Sequence, residues 1–446
     1  MYRFPKGFYT DVRIENVFET AISVTNDNLD EKKEKEYEAA FIRLFDGNRW
    51  FYSSTTDVSS IQNEIDKLSE MADINDEILG NQIVKKFQVN EGEFYKFQED
   101  DNVRNIDLNK KFEVISDYFD IVKECEYVKM WKANYVDLNI RKSFFSSKGS
   151  KLFFDYQKVG YRISWQLADG DERFDESFDV SANIFESIKN KRDEMKEQLD
   201  KSIYFLKNAV NVEPGKYTVV LSPLAAGVFA HESFGHKSES DFMLGDKTMR
   251  EEWKIGKKVG SDILNIIDDG NLEGNGFVPF DDEGTRAQKT FLIKEGKLAG
   301  RLHSVETAVD LNEELTGNAR AIDFEFEPIV RMTNTYIKEG DKTFDELISE
   351  IDKGILIDTI SHGSGMSTFT IAPRIAYYIK NGKIDKPVKI SVVTGNVFET
   401  LNEIDGLSDK LEILSFTLGG CGKMEQFPLP VGFGGPYVRV RNLNVQ

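Results

Sequence analysis

The first half of the chain contains several stretches whose apolar residues are typical of β-strands, with one short helical pattern between them. Residues 10–27 are rich in Val, Ile and Phe, and residues 152–174 return to the same strand-like character. Asp46-Gly47 lies between two apolar runs, which predicts a β-hairpin. Apolar residues with the spacing of a helix predict a short helix at Ile61, Ile65, Leu68 and Ala72.

A long charged helix is predicted over residues 183–209, because one apolar stripe runs along a segment otherwise rich in Lys and Glu. The stripe consists of Ile184, Ile188, Met195, Leu199, Ile203 and Leu206. The Lys and Glu residues are most simply the solvated face of this helix. The sequence VEPGK follows at residues 212–216 and carries Pro and Gly, so we place a domain boundary between residues 211 and 212.

The second half of the chain is richer in predicted strands and turns. Residues 217–221 form a predicted strand, and Pro223 suits the first turn of the helix that follows. Two similar strand–turn–strand units come later in this half. Their turns are predicted at Glu295-Gly296 and Asn381-Gly382.

One compact helix interrupts the strands of this half. Thr343 and Glu346 form the capping-box pattern at its start, and Gly354 is placed to end it. The remaining sequence is Gly-rich. We therefore predict an α+β protein in which residues 1–211 form a mixed α/β N-terminal domain. Residues 212–446 are predicted to form a β-rich, barrel-like or sandwich C-terminal domain with few helices.

The charge balance narrows the classes of function. The chain has 57 Lys and Arg residues against 77 Asp and Glu residues, and 57 − 77 gives a formal net charge of −20. Such a surface repels phosphate backbones, which argues against nucleic-acid binding, and solubility is the simplest reason for the acidity. No apolar run is long enough for a transmembrane helix, and the N-terminus lacks the apolar core of a signal peptide. With only two cysteines, we expect a cytoplasmic protein without disulfides or membrane contact.

The segment HESFGH, at residues 231–236, carries two of the four histidines of the chain, five residues apart. In the familiar HExxH helix of zinc peptidases the two histidines are four residues apart and share one face. On an ideal α-helix, a separation of five residues leaves the second imidazole about 140° out of line with the first. A π-helical turn restores the alignment, because its hydrogen bonds join residues i and i+5. The spacing therefore predicts a π distortion here, with Gly235 supplying backbone freedom.

The residue types of this segment suit metal-dependent hydrolysis. His231 and His236 offer nitrogen ligands for zinc, and a third protein ligand leaves a coordination position for water, whose pKa the metal lowers. Glu232, beside His231, could accept the proton of that water as a general base. The alternative is a buried polar helix whose histidines bond to backbone carbonyls. The spacing alone leaves both interpretations open.

The candidates for the third ligand are Glu239, Asp241, His303, His362 and Cys421. Cys421 lies in GGCGK, which we expect to be a flexible Gly-rich loop that can bring a thiolate to a metal. A small buried residue at a tight turn is the alternative interpretation of Cys421. His303 and His362 are isolated in the sequence and are better explained as hydrogen-bonded structural histidines.

Several ordered motifs resemble the TldD/PmbA family. These motifs are HESFGHKSESD at residues 231–241, FDDEGT at 280–285, TGNARA at 316–321, RMTNTYI at 331–337, and GGCGK with PVGFGGP near the C-terminus. The early sequence YTDVRIEN is also similar to the family's opening strand. Such an ordered set is far more specific than HExxxH alone. One departure is Met424-Glu425, where the family pattern leads us to expect a small residue such as glycine.

TldD-like members of this family carry HExxxH and a late cysteine, whereas TldE/PmbA-like members lack the metal motif. Since this chain has all of these residues, the resemblance implies that His231, His236 and Cys421 bind zinc and that Glu232 is catalytic. It also implies a homodimer, or a heterodimer with a metal-less TldE/PmbA-like paralogue, around an enclosed cavity. Unfolded or extended peptides are expected to be cut there by hydrolysis, with little sequence preference.

Two other functions are compatible with the same residues. Cys421 could act as a nucleophile with His231 or His236 as its base, and such an enzyme would survive loss of metal. Alternatively, the chain is a non-catalytic peptide-binding subunit with a structural metal. In that case a fourth protein ligand such as Glu239 would close the metal to water.

Overall fold

A seven-stranded sheet dominates the first part of the protein in a computed structural model that describes residues 2–365 and 367–446. Its strands are β1 (Tyr9–Thr25), β2 (Asn28–Phe45), β3 (Trp50–Thr55), β4 (Glu91–Phe94), β5 (Val128–Ser146), β6 (Lys151–Asp169) and β7 (Glu172–Ala182). They follow the order β3-β2-β1-β5-β6, and both β4 and β7 pair with β6. All pairings are antiparallel except that of β4 with β6. The predicted hairpin at Asp46-Gly47 is confirmed, since it joins β2 to β3.

Helices pack against this sheet and bury its apolar side chains. They are α1 (Ile61–Met71), α2 (Gln82–Lys86), α3 (Leu108–Ser116), α4 (Phe119–Lys123) and α5 (Arg192–Asn208). Short 3-10 turns lie at Val58–Ser60, Ile78–Gly80, Glu99–Asp101, Val103–Asn105 and Phe185–Ile188. The predicted short helix is confirmed as α1, which buries Ile61, Ile65 and Leu68.

The helix predicted over residues 183–209 is wrong in its first third. Residues Phe185–Ile188 form a 3-10 turn, and the regular helix α5 begins only at Arg192. Between them, Asn190 has a φ of 60°, which is incompatible with a continuous right-handed helix. Within α5, Met195, Leu199 and Leu206 are buried as predicted.

The second part of the chain is built mainly from short strands. They are β8 (Val210–Asn211), β9 (Gly215–Leu221), β10 (Ile266–Asp269), β11 (Lys289–Lys294), β12 (Lys297–Leu298), β13 (Ala319–Arg320), β14 (Ile329–Val330), β15 (Asn334–Ile337), β16 (Lys353–Gly365), β17 (Thr368–Lys380), β18 (Lys383–Lys389), β19 (Val393–Asn396), β20 (Ile404–Leu407), β21 (Glu412–Leu414), β22 (Cys421–Lys423), β23 (Gln426–Leu429), β24 (Gly432–Gly435) and β25 (Val438–Val445). The α-helices are α6 (Pro223–Ala230), α7 (Lys247–Glu252), α8 (Val305–Leu311), α9 (Phe344–Ser349) and α10 (Val397–Asn402).

A closed barrel of five strands lies at the centre of this part. Strands β16, β9, β25, β19 and β17 pair in that order, and β16 also pairs with β17. A second sheet has the order β12-β11-β10-β15-β24-β21. The predicted α+β class and barrel-like second half are therefore confirmed. The boundary between residues 211 and 212 stays a prediction, and β8 just before it pairs with β18. No helix among the described residues is long and apolar enough to cross a membrane.

The turn chemistry of this half follows the sequence closely, with one exception. Both predicted hairpin turns are confirmed, between β11 and β12 and between β17 and β18. The capping box of Thr343 and Glu346 is also confirmed at the start of α9. Gly354 does not end this helix, because α9 stops at Ser349 and Gly354 lies within β16. A Cβ atom on Gly354 would lie 2.7 Å from the carbonyl oxygen of Thr218, so close pairing of β9 and β16 requires glycine.

The FDDEGT segment ties the second part of the chain to the first sheet. Lys142 on β5 donates to Oδ1 of Asp282 at 2.5 Å and lies 3.0 Å from Oε1 of Glu15 on β1. Arg43 on β2 pairs in the same way with Glu283, at 3.0 Å. All of these side chains are buried. Removal of either cation would leave buried carboxylates with less compensation of their charge, which is costly.

Helix α6 is buried on every side between the barrel and the second sheet. Pro223 lies in its first turn as predicted, and the hydroxyl of Ser222 accepts a hydrogen bond from the Ala225 amide. A helix that is apolar all round is typical of a protein interior. A Cβ atom on Gly227 would lie 2.5 Å from the Gly434 nitrogen on β24, so helix and sheet touch backbone to backbone. This contact fixes the end of α6, from which the HESFGH segment continues.

Candidate metal centre

The chain leaves α6 through a π-helical turn at His231–Gly235, followed by a 3-10 turn at His236–Ser238. The amide of His236 donates to the carbonyl of His231, which is the i to i+5 bond of a π-helix. The predicted π distortion is therefore confirmed. It places the two imidazole rings side by side, with centroids 5.1 Å apart and planes at 82°.

Gly235 is required for a reason other than the expected backbone freedom. Its φ of −56° is an ordinary helical value that any residue adopts. A Cβ atom at this position would lie 2.1 Å from Sδ of Met332. The glycine therefore lets the π turn pack against Met332, which belongs to the RMTNTYI motif.

His231, His236 and Cys421 form one cluster, in which each offers a ligand atom within 4.8 Å of the others. Sγ of Cys421 lies 3.4 Å from Nε2 of His236. Nδ1 of His231 is buried and has no hydrogen-bond partner among the described residues. Two imidazoles and one thiolate are a donor set that suits zinc, and three protein ligands leave a position open for water. The residues present therefore fit a catalytic zinc ion.

The electrostatics of the cluster favour the thiolate form of Cys421. Burial raises the pKa of its thiol, but the charges and hydrogen bonds of His231 and His236 outweigh burial and lower this pKa to about 5. Burial likewise lowers the pKa of His236, but its hydrogen bonds with Cys421 and Glu239 prevail and raise it to about 10. Thiolate is the form that binds metals, so the cysteine is prepared for a cation near neutral pH.

Glu239 holds the ring of His236 from the side opposite Cys421. Its Oε2 lies 3.1 Å from Nδ1 of His236, so Nε2 of the same ring faces the thiolate. Glu239 is fully buried, and Nζ of Lys423 lies 3.1 Å from the same oxygen. Lys423 also donates to both carboxylate oxygens of Asp241, at 2.6 and 2.7 Å. Glu239 and Asp241 thus lie outside the cluster. From this position the carboxylate of Glu239 can orient the ring of His236.

Cys421 lies in a strand rather than in the flexible loop expected from the sequence. It begins β22, which forms a two-stranded ladder with β23. Arg331 anchors this hairpin, because its Nη2 donates to the carbonyl oxygen of Cys421 at 2.7 Å. Met424 occupies the turn with a φ of 52° and a side chain that is 75% exposed. A positive φ explains why glycine is expected at this turn.

Two residues of this arrangement, Lys423 and Arg331, are not among the site residues predicted from the sequence. Side chains two residues apart on a strand share a face. If GGCGK had been predicted as a strand, Lys423 would have been predicted to lie on the same face as Cys421. Arg331 gives no comparable signal, because its contact with Cys421 joins segments 90 residues apart in the chain.

The two remaining histidines lie outside the cluster. His303 is buried, with Nε2 2.9 Å from Oε2 of Glu313 and Nδ1 3.1 Å from the hydroxyl oxygen of Thr307. It is therefore a hydrogen-bonded structural residue in this protein. His362 is exposed on β16, at the wall of a cavity beside the cluster.

Glu232 lies half-buried between two openings of different shape. On one side is a cavity of about 190 Å³, whose wall also includes His231 and Cys421. On the other side is a wider cleft of about 550 Å³, whose wall includes His236 and Lys423. Glu232 is thus common to the walls of both openings, and each wall also includes residues of the cluster.

Comparisons with known proteins agree with this arrangement. Residues 214–446 match the PmbA/TldA metallopeptidase C-terminal domain, and residues 10–72 match domain 1 of the same family. A metalloprotease of Methanocaldococcus jannaschii is 31% identical, with 97% of this chain and 96% of the relative covered. A zinc metalloprotease TldD homolog of Saccharolobus solfataricus is 26% identical, with 98% and 96% covered.

The fold is shared as well as the sequence. The crystal structure of TldE from Thermococcus kodakarensis superposes with a TM-score of 0.76 at 15% identity, over 98% of this chain and 96% of that one. At that identity the likeness shows the fold alone. The family match covers 233 residues, from 214 to 446, and includes every residue of the His/His/Cys cluster. This chain belongs to the TldD/PmbA family and is a metallopeptidase.

Proposed function

We propose that this chain is a zinc-dependent peptidase that hydrolyses unfolded or extended peptides, with His231, His236 and Cys421 as zinc ligands and Glu232 as general base. The observation that carries the proposal is the convergence of the three donor atoms within 4.8 Å, with Glu232 in the wall of both adjoining openings. Zinc peptidases use this division of labour, with three protein ligands and a neighbouring carboxylate.

The chemistry divides between the metal and the chain. A bound zinc ion supplies Lewis acidity and lowers the pKa of water. Glu232 takes one proton from the attacking water while the oxygen of that water forms a bond to the peptide carbonyl carbon. The C–N bond then breaks, and Glu232 returns the proton to the leaving amine nitrogen, so that water is consumed and two peptides result. Glu239 accepts a hydrogen bond from Nδ1 of His236. The Nδ1 proton is thereby held on that side of the ring, and Nε2 is the nitrogen that binds the metal.

The surroundings of the cluster support an extended substrate. We infer that a peptide chain without tertiary structure binds across Glu232, because Glu232 lies in the walls of both openings. We propose as partner either a second copy of this chain or a metal-less TldE-like paralogue, which the shared fold with Thermococcus TldE supports. A cytoplasmic location fits Cys421, because a thiolate used as a ligand needs a reducing compartment.

A cysteine peptidase is the second candidate, favoured by the thiolate of Cys421 beside an imidazole at 3.4 Å. Removal of metal separates the two candidates. The purified protein is treated with a zinc chelator and assayed on a denatured, alkylated protein, before and after zinc is restored. Zinc dependence predicts loss and recovery of cleavage, whereas full activity after verified removal of zinc would refute the zinc mechanism and leave the cysteine mechanism.

Alkylation gives a test that does not depend on activity. As a zinc ligand, Cys421 should be protected from iodoacetamide in the zinc-loaded protein and should react in the metal-free protein. Cys125 lies outside the cluster and serves as an internal reference, since its reactivity should be equal in both forms. Equal labelling of Cys421 with and without zinc would contradict its role as ligand.

A further inference from the structure

The cavity beside the cluster has an apolar wall that the hydrolytic mechanism does not use. His231, Glu232 and Cys421 form the side of this cavity of about 190 Å³ that faces the cluster. The apolar part of the wall is formed by Val228 of α6, Ile360 of β16, Phe433 of β24, and Phe416 and Val431 on either side of the β22–β23 hairpin. Four separate segments therefore meet around one concave apolar space.

Packing holds this wall in a fixed shape. The rings of Phe416 and Phe433 lie 4.8 Å apart, and Phe433 is only 3% exposed. A Cβ atom on Gly363 would lie 2.5 Å from Cγ1 of Val228, so this glycine allows β16 to approach α6. Gly419 and Gly420 line another side and place no side chain in the space. The cavity is thus preformed, as is usual for sites that bind apolar groups.

The polar groups of the cavity do not suit an acidic guest. Among the described residues of its wall, Glu232 is the only carboxylate, and neither lysine nor arginine is present. The amide of Asn275 is already used, because Nδ2 donates to the Phe416 carbonyl at 3.0 Å and Oδ1 lies 2.9 Å from the Ser181 hydroxyl. An acidic side chain placed here would lose hydration and would meet the like charge of Glu232.

The opening on the other side of Glu232 differs in size, and apolar side chains contribute to its wall as well. Its wall includes Phe242 and the exposed Met424 as well as Ser364, Thr368 and Lys423, and its volume of about 550 Å³ is far larger. A side chain on this side of the reacting carbonyl is held loosely and stays close to water. The two neighbours of the cleaved bond therefore meet unequal surroundings.

We infer that the apolar cavity is a specificity subsite, which accepts a large aliphatic or aromatic side chain of the residue on one side of the scissile peptide bond. This inference rests on the proposed function and narrows its substrates, since the family resemblance alone implies little sequence preference. The cavity shares His231 and Cys421 with the cluster, and Glu232 also lies in its wall, so a carbonyl within reach of Glu232 brings a neighbouring side chain to the cavity mouth. The cleft on the other side leaves the second flanking position unrestricted.

Cleavage-site mapping tests the inference on the intact zinc-loaded protein. A mixture of denatured, alkylated proteins is digested, and the residues on either side of each cut bond are counted by mass spectrometry against their abundance. Burial of one large apolar side chain predicts that Leu, Ile, Met and Phe are preferred over Asp and Glu by about tenfold or more, at one flanking position only.

A variant of the wall makes the test specific to the cavity. In Phe416→Ala the cavity is larger, and the ratio of Trp and Phe to Val at the selected position should rise about threefold or more. Phe94→Ala is the matched control, because Phe94 is exposed on β4 and lies outside the cavity wall, and it should leave the preference unchanged. If Phe416→Ala fails to fold, the residue preference of the native protein at the two flanking positions still tests the subsite.

The possible outcomes separate the inference from the function on which it rests. Preference at one flanking position that shifts in Phe416→Ala supports the subsite. Efficient cleavage with equal use of acidic and apolar residues at both positions overturns the subsite and leaves the peptidase function intact. A zinc-loaded protein that cuts no peptide in the mixture overturns the proposed function and the subsite together.

Discussion

Replacement of Glu239 by glutamine isolates the contribution of one buried carboxylate to metal binding. The substitution preserves the size of the side chain and an oxygen that can accept from Nδ1 of His236, now 3.1 Å away. It removes the negative charge that also faces Lys423 at 3.1 Å. His236 then loses the anion that orients its ring and makes Nε2 a stronger ligand.

The magnitude follows from the position of Glu239. A carboxylate that orients a ligating histidine typically contributes about 10- to 100-fold to metal affinity, or about 1.4 to 2.7 kcal/mol. Glu239 is fully buried, so solvent does not screen its interaction with His236. Lys423 keeps Asp241 and the Val330 carbonyl at 2.8 Å as partners, which limits the loss of folding stability. We therefore expect zinc affinity to fall about 10- to 100-fold.

The assay is competition for zinc against a chromophoric chelator at fixed pH, with thermal unfolding as the measure of folding. Asp241→Asn is the matched control, since it also removes a charge from Lys423 but leaves the contact between Glu239 and His236. Its zinc affinity should stay within a few-fold of the native value, or about 1 kcal/mol. Equal zinc affinity of Glu239→Gln and the native protein would refute the orienting role of Glu239.

Three further predictions concern the parts around the centre. Gly235→Ala should destabilise the fold by about 1–3 kcal/mol in thermal unfolding because its Cβ meets Met332, and Met332→Ala should recover part of this loss; equal melting temperatures would contradict the contact. In the metal-free protein, the thiolate absorbance of Cys421 should be present above a midpoint pH of about 5 and lost below it, because the pKa of this thiol is lowered. A midpoint at the pH of an ordinary thiol would contradict this prediction. Lys142→Ala should cost about 3 kcal/mol in denaturant unfolding, because Asp282 and Glu15 lose one of their two buried cations and keep Arg13. A loss below about 1 kcal/mol would contradict the pairing with Lys142.

Features that depend on neighbouring residues could be predicted from the sequence. The hairpin turns at Glu295-Gly296 and Asn381-Gly382 require positive φ, and the four angles lie between 49° and 72°. The π turn follows from the five-residue histidine spacing, because only that distortion brings both rings to one side. In each case the chemistry of a few adjacent residues determines the backbone.

Features that depend on distant contacts could not be predicted in this way. Helical periodicity continues through Asn190, where the chain instead turns before α5 begins. Gly354 has the position of a helix stop, yet its role is to admit the Thr218 carbonyl of a neighbouring strand. The expected loop at Cys421 is a strand, because Arg331 and β23 supply its backbone partners. Each of these outcomes depends on a segment far away in the sequence.

The candidate site shows the same division. The donors His231, His236 and Cys421 could be named from their residue types and the family resemblance, and the structure brings them within 4.8 Å. The apolar cavity beside the cluster could not be predicted from the sequence, because it is formed by side chains from separate segments. A period of two along GGCGK would have placed Lys423 beside Cys421, but only if the segment is recognised as a strand.

The central claim is that zinc held by the His/His/Cys cluster and the carboxylate of Glu232 together hydrolyse peptides. Zinc content and peptidase activity are measured for the native protein and for Glu232→Gln, on the same denatured substrate. We expect about one zinc per chain in both proteins, with cleavage reduced by a factor of about 100 or more in Glu232→Gln. Absence of zinc from both, or equal cleavage by the two proteins, would contradict the claim.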